Sequence, residues 1–75
     1  MRLPRPIESV QQAIALIDAH DGNPEDFALA VPDGLQDPIG MNMALITDRI
    51  LRRGWQPDGF VSHPGFRLYR YKPLD

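Results

Sequence analysis

Apolar residues recur along this chain with two different periods, and the change of period divides it into elements. Val10, Ala13, Ile14 and Ile17 fall at i, i+3, i+4 and i+7, the spacing that places one apolar stripe on a helix. Ser9-Val10-Gln11-Gln12 fits a capping box, in which Ser9 accepts from the Gln12 amide and the Gln12 side chain reaches back. Gly22, with Pro24 beyond it, supplies a stop. The pattern predicts a helix from about Ser9 to His20.

The next stretch, "NPEDFALAVPDGL", carries conflicting signals. Asn23-Pro24-Glu25-Asp26 has the chemistry of a helix start. Pro32 nevertheless ends the run after Phe27, Leu29 and Val31 have alternated with two alanines. Strict alternation favours a short strand from Phe27 to Val31 over a short helix.

A turn-rich connector then leads to a second helix. Ile39, Met43, Ile46 and Ile50 form its stripe, flanked by Leu45 and Leu51, with Asp37-Pro38 as its expected cap. Gly40 would lie inside the first turn, at a cost of about 1 kcal/mol relative to Ala. A later start at Met41, a close backbone approach or an anion at the helix end would each account for it. Arg52 and Arg53 close the last turn, Gly54 is placed for a left-handed cap, and Trp55 can fold back onto Ile50.

Beyond Trp55, Gln56-Pro57-Asp58-Gly59 reads as a turn and Pro64-Gly65 as the reversal between two strands. If Pro64-Gly65 is a two-residue loop, Ser62 pairs with Arg67, Val61 with Leu68 and Phe60 with Tyr69. An L-Pro-Gly type II turn splays right-twisted strands, so the alternative is a longer, bulged loop. Val61, Phe66 and Leu68 then share one face, expected to close the core, with His63 and Arg70. Phe60, Tyr69 and Tyr71 share the other, expected to be partly bare, with Ser62 and Arg67.

These elements predict an α+β domain of order α-β-α-β-β, with two helices on one face of a three-stranded antiparallel sheet. The alternative is a winged-helix arrangement, in which "NPEDFALAV" becomes a helix and the Pro64-Gly65 hairpin the wing. With 75 residues the chain has room for one core. Residues 1–6 read as a flexible or extended arm.

Composition adds little beyond this until charge is placed along the chain. Absence of Cys removes disulfides and thiolate metal sites. No run of 18 apolar residues occurs, so no membrane span is expected and a cytoplasmic location is the default. Seven Arg against one Lys suggest a GC-rich bacterial source. The net charge of −2 conceals a polarity. No Lys or Arg stands between Pro6 and Asp48, whereas Arg49 to Leu74 carries six cations and one acid, Asp58. Such halves can attract each other within the fold, pair two protomers, or offer a basic face.

No catalytic constellation emerges. Ser62 and His63, adjacent on a strand, point to opposite faces and cannot form a dyad. His20 with Asp18 and Asp21 lacks the spacing of a metal site. The glycines form no phosphate-binding loop. No enzyme activity, cofactor or small-molecule substrate is therefore expected.

What remains is the aromatic and Arg-rich hairpin. Phe60, Arg67, Tyr69 and Tyr71, with Met41 as an adaptable contact, are the expected surface for a protein partner or a second copy of the chain. Arg49, Arg52, Arg53, Arg70 and Lys72 are the candidate contacts to an anion or nucleic acid. The acidic pI near 5.5 weighs against nucleic acid.

Overall fold

The computed structural model describes residues 3–36 and 40–74. Its order is helix α1 (Val10–Ala19), strand β1 (Ala28–Pro32), helix α2 (Met41–Arg52), strand β2 (Trp55–His63) and strand β3 (Phe66–Pro73). Single 3-10 turns precede and follow β1, at Pro24–Asp26 and Asp33–Leu35. The sheet is antiparallel with order β1-β3-β2. The chain is thus the expected α+β domain, two helices with a three-stranded sheet, and not the three-helix winged alternative. No described helix is long and apolar enough to cross a membrane.

Local chemistry accounts for most boundaries. Ser9 accepts from the Gln12 amide at 3.1 Å. The Gln12 side chain reaches back one residue further than a standard box, to the Glu8 amide. Asn23 caps a turn, accepting from Glu25 N–H at 2.9 Å. The helix-start signal at Asn23-Pro24 is therefore real, but Phe27 is already extended, with φ −103° and ψ 141°. Both readings of this stretch were partly right: one helical turn, then a strand. In α2 the helix begins at Met41, after Gly40 at φ 73°. The stripe residue Ile39 and the expected Asp37-Pro38 cap lie outside the described residues. Gly54 adopts φ 78°, as a left-handed stop requires.

The core lies between the helices and one face of the sheet. Ala13 and Ile17 of α1, Ile46 and Ile50 of α2, and Leu29 and Val31 of β1 form it with Phe27, Trp55 and Tyr71. Ile7 inserts from the N-terminal segment, which is tied to β1 by Ile7 N–H donating to the Ala30 carbonyl at 2.9 Å. Pro6 bridges Ala30 in parallel, so the outer edge of β1 is partly occupied.

The expected hairpin register is present: Phe60 opposite Tyr69, Val61 opposite Leu68, Ser62 opposite Arg67. The faces, however, are reversed. β2 starts earlier than expected, at Trp55, and Pro57-Asp58-Gly59 is not a turn between elements but part of the strand. Pro57 pairs with Tyr71 and Phe60 with Tyr69, so two residues, Asp58 and Gly59, oppose one. This is a β-bulge, with Gly59 at φ 81°. In an unbroken strand Trp55 would share a face with Val61. The extra residue instead puts Trp55, Phe60 and their partners on one side. Trp55 is fixed in the core beside the end of α2, and it takes Tyr71 and Tyr69 with it. Val61, Phe66 and Leu68, expected to close the core, point away from the helices.

Candidate functional site

Two adjoining surfaces result. The first is the sheet face remote from the helices. Directly paired residues share a face, so Ala28 with Arg70, Ala30 with Leu68, Pro32 with Phe66, and Val61 with Leu68 lie together on it. Val61 is 52% exposed, while Phe66 and Leu68 are half-buried. Neither described helix covers this face. Along its β1 side runs a groove of about 310 Å³ lined by Leu3, Pro4, Phe27, Ala28 and Leu68, with the charged residues Glu25, Asp26 and Arg70 also among its lining. That volume lies at the lower limit for small-molecule pockets. Among the described residues Arg70 forms no ion pair, so its charge stays available at the groove.

The second surface is the end of the hairpin. There Phe60 remains 48% exposed although it points to the helix side. Its ring lies 5.2 Å from that of Tyr69, and the Arg67 guanidinium sits 4.8 Å above it. On the opposite face His63 stacks on Phe66, centroids 4.9 Å apart and planes within 8°. The two-residue Pro64-Gly65 turn is held to the body by Asp33 N–H donating to the Gly65 carbonyl at 3.0 Å.

The structure therefore brings Phe60, Arg67 and Tyr69 together, as expected. Tyr69 is half-buried and its hydroxyl donates to Gln36 Oε1 at 3.2 Å, which leaves only part of its ring outward. Tyr71 departs from the expectation, because it is buried at 3% and packs 5.9 Å from Phe27. Its position opposite Pro57, before the bulge, directs it inward. Met41 is 53% exposed on the first turn of α2.

Burial, with a smaller contribution from neighbouring Tyr69, pushes the Tyr71 hydroxyl well above the ordinary tyrosine range. A raised folded-state value means that the unfolded chain loses the proton first. The stability associated with neutral Tyr71 is then complete below about pH 10 and is lost as pH rises above it. Alkaline unfolding beginning near pH 10, and moved to higher pH in Tyr71→Phe after correction for the variant's own stability, is the expected result of titrating ellipticity against pH.

The five candidate anion contacts are mostly committed within the chain. Arg49 pairs with Asp18 at 2.8 Å, bridging the helices. Arg52 pairs with Asp48 at 2.8 Å and Lys72 with Asp58 at 3.6 Å. Arg53 clamps the end of α1, its guanidinium donating to the carbonyls of Ile17, Asp18 and His20 while lying 4.5 Å over Trp55. The charge polarity of the sequence is in good part internal, since Arg49 and Arg53 of the basic half both close onto α1 of the acidic half. Of these five, only Arg70 stands on an open surface without a carboxylate partner among the described residues. His20, the centre of the weak metal alternative, packs against Phe27 and Trp55 and hydrogen-bonds through Nε2 to the Asn23 carbonyl at 3.0 Å.

Sequence reasoning missed the contribution of Leu3, Pro4, Val61, Phe66 and Leu68 to an open face. The available signal was Asp58-Gly59 inside an otherwise strand-like run, since Gly in a strand often marks a bulge. Compared with protein-family models, curated proteins and solved structures, the chain matches none.

Proposed function

We propose that this is a non-enzymatic interaction protein that binds a protein partner through the open face of its sheet, bordered by the Phe60–Arg67 end of the hairpin. One observation carries the reading. The side of the sheet away from the helices presents Val61, Phe66 and Leu68 beside a groove bordered by Leu3 and Pro4 of the N-terminal segment, and neither helix lies across it. In a domain this small, an uncovered apolar face marks an interaction site more readily than a solvent-facing one. Arg70 and Arg67 at its margins supply the cations that commonly anchor protein interfaces.

Nucleic acid is the less favoured ligand, because four of the five candidate cations are engaged internally and a single-strand platform needs several free ones. No mobility shift of DNA or RNA is expected even at about 50 mM salt, where counterion release is most permissive. The protein-binding reading is tested by placing benzoylphenylalanine at Arg70 and, as a control, at Leu51 on the helical layer. Irradiation of the producing cells should give one discrete heavier adduct from position 70 and none from position 51. The reverse pattern would overturn the assignment of the binding face.

A further inference from the structure

The two edges of the sheet are treated differently by the chain. The β1 edge is occupied at Ala30, where Pro6 bridges and Ile7 N–H hydrogen-bonds. The β2 edge is open: Pro57 to Ser62 are all exposed. Natural sheets protect a free edge with Pro, Lys, a bulge or short length. In β2 those devices are confined to the first half, as Pro57 and the Asp58-Gly59 bulge. From Phe60 to His63 there is no Pro, no charge and no further bulge. The only Lys of the chain, Lys72, stands on the central strand and is paired with Asp58.

Phe60 and Val61 sharpen the point. They are consecutive, they point to opposite faces of the sheet, and they are 48% and 52% exposed. A ligand lying on one face would cover one of them and leave the other wet. A strand added along the edge brings side chains to both faces at once and also satisfies the outward backbone groups.

We propose that the second half of β2 is a self-association edge, pairing antiparallel with β2 of a second copy across a two-fold axis to form a six-stranded sheet. A second copy fits because antiparallel pairing about a two-fold axis is self-complementary. The edge run also carries no charge that would repel its mate. With both helical layers on one side, a residue must face another of the same pleat. The run between the Gly59 bulge and Pro64 is used most fully when Val61 lies opposite its own symmetry mate and Phe60 opposite Ser62. Pairing in this way also joins the two open faces into one. The edge shares Val61 with the open face but none of the groove's lining residues, so the groove stays accessible when a second copy is paired.

So short a seam falls in the small, weak interface class, and a dissociation constant on the order of 100 µM is expected. Sedimentation equilibrium from about 10 µM to about 1 mM spans that range. The mass should rise from 8.5 kDa toward twice that value. Val61→Lys, which installs the missing edge charge, should weaken association at least about tenfold, a change of about 1.4 kcal/mol. Leu51→Lys, exposed on α2, should leave it unchanged. Hydrogen exchange of the unmodified chain gives a reading free of any folding defect in the variants. Amides within Phe60–His63 should slow as concentration rises, while those elsewhere on the surface do not. A chain that stays monomeric throughout, or a dimer dissociated by Leu51→Lys and not by Val61→Lys, would overturn edge pairing. Either result leaves the open-face reading to be decided by its own crosslinks from position 70.

Discussion

Tyr71→Ala lowers the free energy of unfolding by about 3–5 kcal/mol, the range for emptying a buried aromatic site, whereas Leu68→Ala lowers it by less than about 1.5 kcal/mol. The contrast follows from the faces of the hairpin. Tyr71 is buried at 3% among Phe27, Trp55 and the helical stripe. Leu68 is half-buried on the side without helices. A single core of this size supplies roughly 3–5 kcal/mol in all, so the Tyr71 variant is expected to be largely unfolded at room temperature. Urea titration followed by far-UV circular dichroism measures both. Comparable losses in the two variants would mean that both faces are packed.

The second large effect is expected at Arg53. Its guanidinium satisfies carbonyls at the end of α1, those of Ile17, Asp18 and His20, and covers the Trp55 ring. Hydrogen bonds from a charged donor contribute about 1.5–3 kcal/mol each, less than additively when they share one group. Arg53→Ala is therefore expected to lose about 2–4 kcal/mol, seen as a melting temperature lower by at least about 10 °C in a domain of this length. Arg53→Lys should recover only part of the loss, because one ammonium cannot fork across three carbonyls and stack on an indole. By contrast, Arg52→Ala should change stability by less than about 0.5 kcal/mol, as for other exposed i,i+4 pairs. Equal effects at the two positions would show that the clamp contributes nothing specific.

The residues that were legible in the sequence are those whose structure is decided locally. Ser9 and Gln12 mark the start of α1, Gly54 ends α2, and Pro64-Gly65 fixes the hairpin register, each through turn or cap chemistry within a few positions. The stripe of Ile46 and Ile50 was legible because helical spacing needs no knowledge of the partner surface. The orientation of the hairpin was not local. It depends on whether the alternation beginning at Trp55 runs unbroken to Val61, and one inserted residue at Asp58-Gly59 reverses the answer. Gln56 to Gly59 has turn chemistry, so the sequence alone does not tie Trp55 to the strand that follows it, and simple alternation predicts the aliphatic set inward. The same gap hides the open face, since Val61, Phe66 and Leu68 are the apolar set that a core face calls for. Arg53 was legible as a last-turn cation, but its clamp on α1 was not, because Ile17 and Arg53 are 36 positions apart.

The orientation of the hairpin underlies both the open binding face and the self-association edge, and solvent exposure of methyl groups measures it most directly. A soluble gadolinium chelate added to methyl-labelled protein, at concentrations below the self-association range, should strongly relax the Val61 methyls and leave those of Leu29 and Val31 sharp. Those three residues are 52%, 1% and 0% exposed. Protected Val61 methyls together with a strongly relaxed Tyr71 ring would place the aliphatic side of the hairpin in the core and contradict the account.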